Sequence, residues 1–239
     1  MKKSIITKWL LGAALLAAPA CTDLDENVYD SIPSSSFGTT QAQINSIIAP
    51  IYGELKGVFP GDFFCLIEEA SDMAITPTRI GGDWWDGGYH MEMKRRNWTY
   101  MNSLNKNGWN ECMDGIATCN MVYHMVGQNE AMSDELKTQT FAEIRGVRAY
   151  WVYMLVDNWG NAPLVTDFGT TDLPGMKNRA ELFQFVVDEL NEIKDQLPTN
   201  SDATYGKFTQ GAAYTLLAKM YLNHNAWFRD HSDNSWYGL

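Results

Sequence analysis

Residues 143–166 read EIRGVRAYWVYMLVDNWGNAPLVT. Ile144, Val147, Trp151, Val152 and Leu155 recur there at three- and four-residue steps. Phe141 and Arg148 fall on the same stripe, and the period is that of a helix laid on a core. Ser133 followed by Asp134 and Glu135 marks its start, because a Ser oxygen accepts from free first-turn amides and acids favour the positive end. Trp159-Gly160 marks its end, where glycine is a natural stop. The following NAPLVT (161–166) reads as an extended connection.

The same period extends in both directions. Upstream, from about Gly108, one broad face carries Trp109, Cys112, Met113, Ile116, Cys119, Asn120, Tyr123 and Val126. Further upstream, Thr40 and Gln43 have capping-box spacing ahead of Ile44, Ile47, Ile48, Ile51 and Leu55. Pro50 is expected to kink or divide that helix. Downstream, Asn178 and Glu181 open a helix with the stripe Leu182, Phe185, Val186, Leu190, Ile193 and Leu197, closed by Pro198. Thr209 is expected to cap the last clear helix, which turns Ala213, Leu216, Leu217 and Met220 inward. Gly211, Ala212, Ala213 and Ala218 permit close helix approach there. Strand alternation is nearly absent. The fold class is therefore mainly α, with tetratricopeptide-like helical pairs stacked side by side and long irregular loops between some of them. Arg145 and Arg148 are expected to tie the long helix to its neighbour. Trp109, Trp151 and Trp159 are expected to pack in the core.

The whole chain has 239 residues, 45% of them hydrophobic and 20% charged, a globular composition. Lys+Arg is 18 against Asp+Glu 29, a net charge of −11, which excludes a general nucleic-acid binder that needs a basic footprint. Residues 1–20, MKKSIITKWLLGAALLAAPA, read as a signal peptide: Lys2, Lys3 and Lys8 precede an apolar run too short to span a bilayer. The small residue Ala20 followed by Cys21 resembles a lipoprotein start, with Cys21 acylated as the mature N-terminus. That implies anchoring to a membrane, not spanning it. Residues 21–38 then read as an acidic, Ser- and Pro-containing tether, and residues 39–239 as the helical domain. Cys112 and Cys119 lie seven apart on one helix, roughly 10 Å between Cα atoms, too far for a disulfide. Cys65 is free to pair with either, or all three are buried thiols. No Cys/His zinc spacing, HExxH or other metal pattern exists among the cysteines or among His90, His124, His224 and His231. DHSDNS (230–235) lacks the glycine and distal Glu of a calcium loop. No metal or cofactor is expected.

Nine Trp is many for this length, and several fall in one place. Residues 57–106 lack a sustained period, and a long structureless stretch inside a domain is usually functional. It holds Trp84, Trp85, Tyr89, Trp98 and Tyr100 beside Asp72, Arg79, Asp83, Asp86 and Asn102. Gly81, Gly82, Gly87 and Gly88 let the backbone bend so that the tryptophans face outward. Such a set suits a pyranose ring. Trp and Tyr planes cover its apolar C–H face, while Arg, carboxylate and amide groups fix its hydroxyl rim. Alternatively, Trp85 and Trp98 plug the core under the loop, and Asp72 serves a turn.

Five stretches together resemble the N-terminal portion of SusD/RagB-type proteins, the glycan-binding outer-membrane lipoproteins. They are the lipoprotein start with CTDLDE (21–26); EEASDMAITPTR (68–79) with GGDWWDGGYHME (81–92); WNECMDGIATCNMVY (109–123); residues 143–166; and NRAELFQFVVDELNEIKDQLP (178–198) with KFTQGAAYTLLAKMYLN (207–223). The resemblance implies a SusD-like helical scaffold that binds oligosaccharide or polysaccharide without cleaving it. It implies a SusC-like TonB-dependent transporter as partner, and a lipid-anchored, surface-exposed place on the outer membrane. It also implies Asp72, Arg79 and one of Trp84, Trp85 or Trp98 as sugar contacts, within a ligand set of Asp72, Arg79, Asp83, Trp84, Trp85, Tyr89 and Trp98. Members of that family are longer than this chain, so the resemblance further implies a C-terminal part missing after Leu239. An exposed apolar face is then expected near residues 210–239.

Two other functions compete. Some proteins of this kind serve peptide uptake, and stacked helix pairs commonly bind peptides. A glycosidase needs two carboxylates at a set separation, and Glu68, Glu69, Asp72, Asp83 and Asp86 are its candidates. No GxSxG, P-loop or GxGxxG motif is present.

Overall fold

The computed structural model describes residues 37–58 and 61–228. The expected signal peptide, Cys21, most of the tether and residues 229–239 lie outside the described residues. The described chain forms seven α-helices: α1 (Gln41–Val58), α2 (Asp62–Ala70), α3 (Tyr89–Arg95), α4 (Ser103–Gln128), α5 (Asp134–Asn158), α6 (Arg179–Ile193) and α7 (Gln210–Trp227). Two short strands, β1 (Ala162–Pro163) and β2 (Met176–Lys177), pair antiparallel between α5 and α6.

Side chains of successive helices meet in antiparallel order. On α4 and α5, Gly115 faces Trp151 and Asn120 faces Arg148. Between α5 and α6, Arg145 meets Glu189 and Glu192. On α6 and α7, Phe183 meets His224 and Trp227. The long helix α5 is the hub, packed against α1, α4, α6 and α7. Its expected stripe is buried apart from the half-buried Phe141, but Ala149, Tyr153, Met154 and Val156 are buried as well. A helix enclosed by neighbours on several sides is apolar nearly all round. Trp151 is fully buried, while Trp109 and Trp159 pack edge to face at 5.4 Å against the same core.

Four helix starts follow from local chemistry. Thr40 and Gln43 exchange hydrogen bonds as a capping box. Asn178 and Glu181 do the same at α6. Ser133 accepts from Leu136 N–H at α5. Asn102 accepts from Leu104 and Asn105 N–H, so α4 begins at Ser103, one turn before the apolar stripe suggests. Thr209 differs from its expected role: its hydroxyl donates to Asn200 Oδ1 at 2.5 Å and does not cap α7. Helix α1 runs unbroken through Pro50. Helix α6 stops at Ile193, ahead of Pro198.

Buried polar groups hold the helices in register. The Tyr52 hydroxyl of α1 donates to Glu143 Oε1 of α5 at 2.6 Å and accepts from Phe208 N–H at 2.7 Å. Arg148 donates to Asn120 Oδ1, to the Thr166 carbonyl and to Glu189 Oε2, and Arg145 grips the same Glu189. The two arginines thus tie α5 to α4 and α6. Burial pushes the Glu189 carboxyl up, but hydrogen bonds and charge from Arg145 and Arg148 outweigh it and leave it below its ordinary value. A carboxyl depressed in the folded state stabilises the fold above its unfolded value, and that contribution is lost as pH falls through the folded value. Acidification below the ordinary value of 4.5 is therefore expected to lower Tm more steeply in the parent protein than in Glu189→Gln, which has no charge to lose. Parallel pH–Tm curves for the two would contradict this.

Cys65, Cys112 and Cys119 are free thiols, the last two buried on α4. Burial pushes the Cys119 thiol up to about 12 and raises Cys112 also, which keeps both protonated and inert. No described helix is long and apolar enough to cross a membrane.

Candidate functional site

The 57–106 stretch is more ordered than its sequence suggests. Helix α2 forms because Phe63, Leu66 and Glu69 fall on one face against α4. Helix α3 forms because His90 and Met93 are buried on one side. The irregular parts reduce to residues 71–88 and 96–102. Helix α2 ends where Met73 and Ala74 N–H both donate to the Glu68 carbonyl. Asp72 takes a left-handed conformation at that end, φ 67°.

The 71–88 loop is a chain of tight turns. Arg79 N–H donates to the Asp83 carbonyl and Gly82 N–H to that of Arg79, then Trp85 N–H to Gly82 and Gly88 N–H to Trp85. Trp84 and Asp86 sit at φ 64° and 43°, conformations that a non-glycine residue holds only when its surroundings enforce them. Gly88 has a double constraint. Its φ is 90°, and a Cβ there would lie 3.1 Å from the Trp85 indole, which lies against this glycine.

Trp84 is 53% exposed and Trp85 54%, so neither plugs the core. Trp98, Tyr100 and Met101 are exposed on the segment after α3. Arg79 and Asp83 are exposed on the turns. Tyr89 is placed differently: it opens α3, is half-buried against the core, and its ring lies 4.5 Å from that of His90. Burial first, then the nearby Asp86 charge, raises its phenol. Asp86 and Tyr89 line a cleft of about 250 Å³ with Thr99, Met101 and Asn102. Asn102 is not an outward sugar contact: it is buried as the α4 cap and donates to Tyr89 O and Glu92 Oε2.

Asp72 also has partners of its own. Its carboxylate accepts from Lys94 Nζ at 2.6 Å and Arg96 at 2.5 Å. The Lys94 hydrogen bond and then the Arg96 charge hold it below the usual carboxylate range. This clasp fastens the base of the loop to α3. A second fastening was hidden in the sequence: Glu69 and His90 are buried together, Nδ1 lying 2.8 and 2.9 Å from the two carboxylate oxygens. A readable signal existed, since Phe63, Leu66 and Glu69 share helical spacing and a buried carboxylate demands a partner.

Wider clefts lie elsewhere, among them one of about 630 Å³ lined by Ile47, Pro50, Met121 and Met125, and one of about 840 Å³ lined by Tyr52, Leu55, Tyr150, Phe208 and Leu216. These two are broad apolar grooves between helices, whereas the loop combines exposed aromatic planes with the exposed polar side chains of Arg79 and Asp83. Helix α7 exposes Tyr214, Tyr221 and Leu222, the apolar face expected there. Among the described residues no group of three or more His, Cys, Asp or Glu is placed to hold a metal.

Residues 24–222 match the SusD-like family model described as "Starch-binding associating with outer membrane". The chain is 35% identical over 96 residues to the starch-binding protein SusD of Bacteroides thetaiotaomicron, covering 40% of this chain and 17% of that protein. It is 25% identical over 223 residues to a SusD-like protein of Bacteroides ovatus, covering 90% and 38%. Among solved structures, a laminarin-binding SusD-like protein superposes with a TM-score of 0.67 at 18% identity, covering 79% of this chain and 41% of the other. Surface glycan-binding protein A from Bacteroides uniformis gives 0.65 at 18% identity, covering 78% and 43%. At such identities the structural likeness concerns the fold. The chain spans less than half the length of each of these relatives.

Proposed function

The chain belongs to the SusD-like family, and on that premise we propose that it captures oligosaccharide or polysaccharide at the bacterial surface and passes it to a SusC-like TonB-dependent transporter of the outer membrane. Acyl chains on Cys21 anchor it there in this reading. The observation that carries it is the pair Trp84 and Trp85, both half-exposed, with left-handed backbone at Trp84 and at Asp86 just after them. Exposed indoles supply flat apolar area at low entropy cost, and Arg79 and Asp83 on the same turns supply partners for hydroxyls. Trp98 extends the aromatic surface after α3. In this reading Asp72 fastens the loop through Lys94 and Arg96 and touches ligand only at its margin.

Two of the five carboxylates that a glycosidase could use are engaged in structural contacts. Glu69 is taken up by His90 and Thr76, and Asp72 by two cations. Native electrophoresis through gels containing starch or laminarin is the direct test. Retardation in at least one gel, with no new reducing ends after incubation, is expected. Equal mobility in every glycan gel would sink the capture reading, and failure of a barrel protein to co-purify from outer membranes would sink the transporter partnership.

A further inference from the structure

The loop that carries Trp84 and Trp85 makes its own turns, so something else must hold those turns to the body of the protein. Helix α3 meets the loop at two places. One is the exposed clasp of Asp72 by Lys94 and Arg96, at the loop's first residues. The other is His90, which lies at the loop's far end and is only 6% exposed. A carboxylate can only accept, so the proton on Nδ1 is donated to Glu69, itself 2% exposed. Thr76, on the outgoing arm of the loop, donates to the same carboxylate. On the opposite edge of the ring, Nε2 lies 3.7 Å from Asp86 Oδ2, in the turn that follows the tryptophans. The Trp84 ring lies 6.5 Å from the imidazole, and Tyr89 stacks beside it at 4.5 Å.

One imidazole therefore touches the end of α2, the helix it stands on and the turn Asp86–Gly88. Through Glu69 it also shares a partner with Thr76. We infer that His90 is the positioning residue of the aromatic loop: it holds the returning arm at Asp86 to the same Glu69 of α2 that receives Thr76 of the outgoing arm, and so fixes the direction in which Trp84 and Trp85 face. The inference rests on the glycan-capture reading only for what the loop is used for. The locking itself is a claim about the loop. A platform held in its binding geometry beforehand loses less freedom when ligand arrives. Left-handed backbone at Trp84 and Asp86 survives only where surrounding contacts enforce it, and His90 supplies such a contact.

The two edges of the ring can be separated by substitution. His90→Asn retains a donor near the Nδ1 position, so Glu69 remains partnered, but it has nothing to reach Asp86. Asp86→Ala removes the same contact from the other side at a partly exposed position. The readout is trypsin cleavage after Arg79, an exposed residue on the turn preceding the tryptophans, followed by mass spectrometry. A protease needs several residues around that bond to unfold locally, so its rate reports opening of the loop. Both variants are expected to be cleaved after Arg79 roughly tenfold faster than the parent, with thermal unfolding of the helical domain unchanged. Their retardation in starch or laminarin gels is expected to weaken roughly three- to tenfold. His90→Phe, which retains an aromatic ring but leaves Glu69 without its imidazole donor and puts no polar atom beside Asp86, should be cleaved faster still.

Parent-like cleavage of both His90→Asn and Asp86→Ala would overturn the inference and leave the Asp72 clasp and the Thr76–Glu69 hydrogen bond to fasten the loop. Accelerated cleavage accompanied by an equal fall in Tm would also overturn it, since His90 would then serve global stability alone. Absence of glycan retardation in the parent protein sinks the proposed function and leaves the cleavage rates to decide the role of His90.

Discussion

Gly115→Ala is expected to destabilise the domain by about 3 kcal/mol or more, a fall in Tm of roughly 6–12 °C for a chain of this size. In an open helix interior the same change is favourable by about 0.5–1 kcal/mol, because glycine gives up more backbone freedom on folding. At Gly115 the added Cβ would lie 2.1 Å from Trp151 Cε2 and 2.5 Å from two further indole atoms. Trp151 is fully buried at the centre of α5, so its ring cannot swing aside into solvent. Either α4 and α5 move apart along a contact that continues to Asn120 and Arg148, or the indole leaves its rotamer. Gly53 on α1 supplies the contrast: it is exposed, and a Cβ there meets nothing within 4 Å. Gly53→Ala is therefore expected to raise Tm slightly. Thermal unfolding followed by circular dichroism on both variants decides the matter. A Gly115→Ala protein as stable as Gly53→Ala would show that the helix pair is not packed through Trp151.

The same contact marks how far sequence reading reached. The stripe through Trp151 announced a buried helix, but nothing in spacing alone placed Trp151 over Gly115, thirty-six positions earlier. Helices α1, α4, α5, α6 and α7 were legible because each repeats an apolar face over several turns. Helix α2 was not, because a buried carboxylate at Glu69 interrupts its apolar face. Helix α3 was not, because seven residues offer only His90 and Met93 as an inward face. Thr209 has the right type for a cap, yet Asn200 takes its hydroxyl. In the loop, paired glycines beside paired tryptophans left two readings open, outward indoles or core plugs, and the structure exposes Trp84, Trp85 and Trp98. The fastenings remained hidden, since Glu69 and His90 are 21 positions apart, Asp72 and Arg96 are 24 apart, and no period connects them.

Replacing Trp84, Trp85 and Trp98 together by alanine is expected to abolish retardation in a glycan gel that slows the parent protein, while helical content stays the same. All three side chains are exposed, so their removal opens no cavity in the core. Truncating a central aromatic anchor typically costs about 2 kcal/mol or more of binding. Two anchors in contact with one ligand thus lower affinity roughly a thousandfold, beyond what a gel can retain. The single variants should differ in kind. Trp85 lies over Gly88, and its loss also loosens the turn beneath it. Trp98 stands on the separate 96–102 segment, and its loss should weaken binding with cleavage after Arg79 unchanged. Stacking on sugar C–H faces is an apolar contact, so retardation of the parent should persist at high salt, where a purely electrostatic attachment fades. Unchanged mobility of the triple variant would remove the aromatic platform and move the search for the ligand to the apolar grooves beside α1.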